Sequence, residues 1–319
     1  MNRRATTLAC YAVVVVIAIG ILSYVGMWRI QAMELRTTKD IEGDVQSIAF
    51  ETGSRMSAVA SIMQVTANLP QVRDTSDVHL MSEENKGVPE DSAIGKRQVA
   101  KDILASNPDI DAIGFILSNG DMYLEEPYSR QLNLTRTNFV TRDYFQGAVT
   151  TDNPYLGEVY ISAATGSSAT ALAVPVYNGD RTLAGVWMAI MNLQAFNSRA
   201  NELLGSDYGG RVVYIDQNNH EVVSSSALVS ADEALSGLQS YADALAGNSG
   251  SRAEMHDGVQ MFVAYSPIKM PGATWVIIAM QPYSEVFSRL PMMQLQGAIV
   301  VTSVIAAGIG FVIYRIQKT

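Results

Sequence analysis

AIGFILSNGDMYLEE, Ala112–Glu126, decides how this chain folds. Two apolar runs flank Ser-Asn-Gly-Asp, and Asn-Gly between apolar runs is the strongest short-range sign of an antiparallel hairpin, because both residues tolerate positive φ. The same form returns as RVVYIDQNNHEVVSS, Arg211–Ser225, with Leu117 and Ile215 in equivalent places. A second pair of strands follows each hairpin: ALAVPVYNGDRTLAGVWMAIMNL, Ala171–Leu193, and FVAYSPIKMPGATWVIIAMQP, Phe262–Pro282. The spacing between the two hairpins nearly matches that between Pro175 and Pro267. One α+β module is therefore expected twice in tandem.

Upstream, RIQAMELRTTKDIEGDVQSIAFETGSRMSAVASIMQVTANL, Arg29–Leu69, contains no proline until Pro70. Ile41, Val45, Ile48, Val59 and Ile62 recur at three- to four-residue intervals or their multiples, which predicts a long amphipathic helix over 29–70. At about 1.5 Å per residue it reaches about 60 Å. Gly43 and Gly53 weaken it and predict a bend. The polar stretch Gln71–Ile94 reads as loop, followed by a short helix at Lys96–Ala105.

Two runs, Leu8–Trp28 and Leu295–Tyr314, carry no charge and are long enough to cross a hydrocarbon core of about 30 Å. The first is longer than the apolar region of a cleaved leader and no small-x-small site closes it, so a retained span is expected. Arg3 and Arg4 precede the first run while Arg315 and Lys318 follow the second, which places both termini in the cytoplasm and the middle outside a cell membrane crossed twice. These ends hold none of the 31 Asp and Glu residues of a chain whose net charge is −9, so the outer part is strongly acidic. That excludes a nucleic-acid partner. Cys10 is the single cysteine and lies in the first run, so the outer part has no disulfide and rests on core burial. The five uncharged residues before it are too few for an export segment, which argues against a lipidated cysteine.

Catalytic signals are weak. His79, His220 and His256 belong to no HExxH pattern, no CxxC occurs, and GxSxG, P-loop and GxGxxG sequences are absent. No metal, cofactor or catalytic residue is expected. Ser249 in GNSGS reads as turn chemistry. The acid pairs Glu125 with Glu126 and Asp109 with Asp111 read as solvated surface, and adjacent acids on a strand point to opposite faces.

The order of span, long helix, two sheet modules and span, together with TRDYFQGAVTTDNPYLGEVYISAATG (Thr141–Gly166), a strand ending in PVYNGD, and GATWVIIAMQPYSEVF, resembles the double Cache sensor domains of chemoreceptors and sensor kinases. The resemblance covers roughly Gln31–Phe287 and implies an α+β fold, a long N-terminal helix plus two PAS-like antiparallel-sheet modules flanked by two transmembrane helices. The implied layout is a cytoplasmic tip 1–7, span 8–28, stalk 29–70, membrane-distal module 71–204, membrane-proximal module 205–290, span 295–314 and tail 315–319. After Tyr314 only RIQKT follows, so the output is expected from a longer receptor or from a partner in the membrane. Chemotaxis, kinase and cyclase outputs stay open.

The same resemblance puts a small-molecule pocket in the distal module, between its sheet and the segment Thr141–Gly166. Arg142 is the candidate clamp for a carboxylate, since its planar fork matches one; a surface ion pair with Asp143 or Glu158 is its alternative. Tyr144, Tyr155 and Tyr160 are candidate walls, with Tyr123 closing the pocket from the sheet, and core packing is the competing fate of these rings. Relatives that bind amino acids carry acids where this chain has Leu156, Gly157 and Ile190, so a small carboxylate is expected rather than an α-amino acid. The resemblance further implies a homodimer along the stalk, with Ile41, Val45 and Ile48 as its seam or packed on their own module. An ectodomain that binds a partner protein, or plays a structural or adhesive role, is the alternative function. Ala306 and Gly310 in the second span are spaced as small-xxx-small, which reads as ordinary membrane-helix composition, with close helix approach as the alternative.

Overall fold

The structure, a computed structural model, describes residues 3–204, 209–222, 233–286 and 308. Helix α1 runs unbroken over Arg3–Ala67. It stops because Leu69 precedes proline and is extended, at φ −69° and ψ 138°, and Pro70 then opens the short α2, Pro70–Arg73. A 3₁₀ turn at Ser76–Leu80 and α3, Ile94–Ser106, follow. The region expected as loop thus holds two short helical pieces.

Among the described residues no helix is long and apolar enough to cross a membrane. The expected span at 295–314 lies outside them apart from Gly308. The span at 8–28 falls in the N-terminal part of α1, where side chains before Gly20 lie outside them.

The first module contains β1 (Ile110–Leu117), β2 (Met122–Glu126), α4 (Tyr128–Leu132), α5 (Asp143–Thr151), β3 (Tyr155–Leu156), β4 (Tyr160–Ile161), β5 (Ser168–Ala169), β6 (Ala171–Tyr177) and β7 (Leu183–Met191). After α6 (Leu193–Leu204) come β8 (Arg211–Ile215), α7 (Glu233–Ser236), α8 (Gln239–Leu245), β9 (Gly250–His256), β10 (Val259–Met270), β11 (Ala273–Pro282) and α9 (Tyr283–Val286). The first sheet has the order β2-β1-β7-β6-β3 and the second β8-β11-β10-β9. Glu221 bridges Ile215 on the free side of β8, where β2 stands in the first sheet, so the two modules repeat one topology. Register places the repeat one residue from its expected alignment. Ile116 and Pro175 both oppose Val186, while Ile215 and Pro267 both oppose Val276, which makes Ile116 rather than Leu117 the counterpart of Ile215.

The central strands are apolar on both faces because each sheet is covered twice. Phe115, Trp187, Leu172 and Val174 of the first sheet and Trp275, Ile277, Phe262 and Ile268 of the second join Val45, Ile48, Met56, Val59 and Met63 of α1 in one shared core. The opposite faces have private cores, one around Ala112, Met188, Tyr144 and Tyr160, the other around Val213, Val263 and Ile278. Trp187 fixes the helix further by donating from Nε1 to Thr66 Oγ1 at 3.1 Å.

Val45 and Ile48 are fully buried in the shared core and Ile41 packs against it, so of the two readings of this stripe the packing on its own modules is the one observed. Gly53 marks a close approach in a helix that continues through it: an added Cβ would stand 2.8 Å from the carbonyl oxygen of Lys269 on β10. Finally, Glu125 and Glu126 are buried, not solvated, and Asp109 is paired with Arg55.

Candidate functional site

The segment Thr141–Gly166 folds as the whole of α5, then β3 on the edge of the first sheet beside β6, and β4, with α5 and Tyr160 packed on the sheet's private face. Arg142 is the extended residue before α5, at φ −72° and ψ 138°, and Asp143 is the helix's first residue. The Asp143 carboxylate accepts the Tyr144 amide through Oδ1 at 2.7 Å and the Glu158 amide through Oδ2 at 2.6 Å, which ties the loop to the helix start. Gly157 permits this, since a Cβ there would meet Asp143 Oδ1 at 2.7 Å. Thr170 Oγ1 donates to the Gly157 carbonyl at 2.7 Å and holds the same loop to the sheet.

These restraints bring Arg142, Tyr144 and Tyr160 together. The Tyr144 and Tyr160 rings lie 5.4 Å apart, tilted by 41°, and the Arg142 guanidinium carbon stands 4.4 Å from the centre of the Tyr160 ring. Arg142 Nη2 donates to the Ile161 carbonyl at 2.9 Å, while its Nε is buried and has no hydrogen-bond partner. Burial lowers the Arg142 pKa, with the two tyrosines opposing that shift. Burial also raises both tyrosine hydroxyls, so the rings stay neutral and present aromatic faces to the cation. The predicted ion pair of Arg142 with Asp143 or Glu158 does not form; its planar group lies on a ring.

Tyr155 sits at the margin of this cluster. Glycine at 147 leaves the space its ring fills, and on the other side a Cβ at Gly272 of the second module would reach Tyr155 Cδ2 at 2.6 Å. Tyr123 is placed elsewhere. A register shift between Phe115 and Ile116 puts Tyr123 on the shared-core face, 5.9 Å from the Phe115 ring and 4.3 Å from Lys96 Nζ. It therefore does not close a pocket with Arg142, contrary to expectation.

Strict alternation would set Tyr123 and Glu125 on one face; the bulge separates them, and Glu125 takes the private face beside Tyr144 and Tyr160. Glu125 opposes Gly114, whose missing Cβ makes room for Met188 on the private face, and it is almost wholly buried. Its Oε1 accepts from Arg130 Nε at 2.9 Å. Burial raises the Glu125 pKa, Arg130 partly offsets this, and the charge acts on both Tyr144 and Tyr160. Nothing in MYLEE marks Glu125 as a buried group; its partner lies beyond the cis Glu126-Pro127 bond, in α4. The cluster thus joins the Arg142 guanidinium to two neutral aromatic rings, with small walls at Ala112, Ala169 and Ala171, and the buried Glu125–Arg130 pair acts on both tyrosines. Ile190 lies in the same cluster, so the late strand supplies no acid there. Among the described residues no cluster of His, Cys, Asp and Glu could hold a metal ion.

Comparison with solved structures places this fold. The ligand-binding domain of the Pseudomonas aeruginosa amino-acid chemoreceptor PctC, solved with GABA, is 18% identical, with 76% of this chain and 99% of that chain covered and a TM-score of 0.52. The ligand-binding domain of the Pseudomonas fluorescens chemoreceptor CtaA, solved with L-leucine, is 16% identical over 81% of this chain and 99% of that one, with a TM-score of 0.52. The periplasmic sensory domain of the Campylobacter jejuni chemoreceptor Tlp1 is 12% identical over 80% and 98%, with a TM-score of 0.58. No curated protein matches the chain. The Cache domain family matches residues 30–290, and with the repeated sheet order this shows that the chain belongs to the double Cache family.

Proposed function

We propose that the chain is an extracytoplasmic small-molecule sensor whose ligand, a small carboxylate, is bound in the first module by Arg142 between Tyr144, Tyr160 and the margin residue Tyr155. The observation that carries this reading is the buried, unpartnered Nε of Arg142 above the Tyr160 ring. A buried donor without an acceptor costs about 1–3 kcal/mol, a cost that an incoming carboxylate would remove. In this reading 71–204 is the membrane-distal ligand module and 205–290 the proximal one. Spans at 8–28 and 295–314 anchor the sensor with both termini in the cytoplasm, and dimerisation together with a signalling partner in the membrane carries the output.

Glu125, buried and sharing its Oε1 with Arg130, favours a second ligand class, a zwitterion whose cationic group its carboxylate would hold. GABA and L-leucine in the relatives' structures make this worth testing against the carboxylate.

The test is a thermal-shift screen of the full chain in detergent against carboxylates, amino acids, amines and purines, repeated with Arg142→Ala. A ligand at 100 times its Kd adds about 2.7 kcal/mol. A hit that Arg142→Ala abolishes supports the clamp, and one that survives moves the site. No shift across the library favours an ectodomain that binds a partner protein or plays a structural role.

A further inference from the structure

The segment that carries Tyr155 and Tyr160 is held by both modules. Successive amides of an extended chain point in opposite directions, and here each finds a carboxylate from a different module. The Glu158 N–H goes to Asp143 of α5, and the Val159 N–H goes to Asp216 Oδ2 of the second module at 2.7 Å. Asp216 is 1% exposed and begins the turn after β8, where its Oδ1 accepts the amides of Asn218 at 2.9 Å and His220 at 2.8 Å. The same turn reaches back once more, because Asn218 Nδ2 donates to Glu158. A second turn of that module, between β10 and β11, accepts the Leu156 amide at the Pro271 carbonyl at 2.7 Å.

We propose that Asp216 is a positioning residue for the segment Leu156–Tyr160, so that the place of this segment and the arrangement of the second module are one equilibrium. The proposal rests on the reading of that segment as part of a ligand site, and it adds the other module's carboxylate to that site's determinants. A charge-assisted bond from a backbone amide to a buried carboxylate is among the stronger hydrogen bonds. A ligand that moves Tyr160 must carry Val159 with it, and Val159 carries the β8 turn. Only a ligand that prefers one position of the segment would shift the second module.

Hydrogen exchange on the full chain in detergent, without ligand, tests this. In Asp216→Asn the side-chain oxygen can still accept the Asn218 and His220 amides, but its NH₂ then faces the Val159 N–H. The expected result is exchange of the 156–160 amides faster by about tenfold or more, with the Asn218 and His220 amides nearly unchanged. Unchanged protection at 156–160 overturns the proposal. If the variant does not fold, wild-type exchange under rising denaturant decides: the Val159 amide should open with the β8 and β10–β11 turns, and opening with α5 instead overturns the proposal. The ligand reading fails separately, when wild type shows no shift with GABA, L-leucine or any carboxylate, and that outcome leaves the exchange result untouched.

Discussion

Glu125 and Glu126 are neighbours in β2 that leave the sheet on opposite faces, the first toward Arg130 beside the paired tyrosines and the second toward Arg97 on α3. The Arg97–Glu126 contact is 2.6 Å long, and both side chains are at most 3% exposed. Arg97 also donates to the carbonyls of Ser92, Val88 and Pro89 and to Gln131 Oε1. Removing Arg97 leaves a buried carboxylate and several acceptors unpaired. Arg97→Ala is expected to cost about 3–5 kcal/mol, whereas Arg97→Met with Glu126→Leu should recover most of that loss, because both charges go together. Urea unfolding midpoints of the three proteins check it.

Lys96 stands next to Arg97 in α3, yet its Nζ is buried without a hydrogen-bond partner, 3.4 Å from the centre of the Phe115 ring. Burial brings its pKa from 10.5 down to about 7, while Asp74 and Asp77 oppose the shift. In the unfolded chain the lysine keeps its proton up to about 10.4. Between these values the unfolded state binds more protons, so stability rises with pH, by up to about 1.4 kcal/mol per pH unit. Tyr123, pushed up to about 12, titrates above this window. Lys96→Met should flatten the slope between pH 7.5 and about 9.5 and raise stability at pH 7, the thioether packing on the same rings. Melting temperatures measured across that pH range test it; parallel slopes in both proteins would remove Lys96 as the cause.

Two glycines of α1 should respond to alanine with opposite signs. A Cβ at Gly43 meets nothing within 4 Å, so Gly43→Ala gains the helix propensity of about 0.8–1 kcal/mol. At Gly53 the same gain is opposed by the backbone carbonyl of Lys269 at 2.8 Å, which cannot rotate away. Gly53→Ala should lower stability by about 1–3 kcal/mol, the range of overpacked cores. Chemical denaturation of the two single variants is sufficient.

The fold was legible because its signals are local. Asn-Gly turns, both-face apolar strands and the echo of one hairpin in the next each need only a short window of sequence. The site was half legible for the same reason: Arg142, Tyr144 and Tyr160 come from one segment whose own hydrogen bonds gather them. Tyr123 was not legible, because a single bulge in the β1–β2 ladder sets it on the opposite face from Glu125 and alternation cannot foresee it, and burial of Glu125 depends on Arg130, in another element. Burial of Glu126 depends on Arg97, in another element, and composition places glutamate on the surface. The stripe Ile41, Val45, Ile48 shows that one helix face is covered without showing by what.

Arg142 and the Arg130-paired Glu125 give the last prediction. Arg142→Ala should abolish stabilisation by any carboxylate, whether or not the ligand also carries an ammonium group. Glu125→Gln keeps an oxygen for Arg130 Nε but loses the charge, so it should spare a simple carboxylate and weaken GABA by about 2 kcal/mol or more, the range for truncating one side of a buried charged pair. The sign with pH follows from the raised Glu125 pKa: a bound cation favours its ionised form, so affinity for a cationic ligand falls as pH drops through that raised value. Calorimetric titration of wild type and both variants with GABA and with succinate separates the cases. Loss of both ligands in Arg142→Ala with selective loss of GABA in Glu125→Gln would assign the carboxylate of both ligands to Arg142 and the ammonium group of GABA to Glu125. Equal affinities in wild type and Arg142→Ala would remove the clamp from both readings.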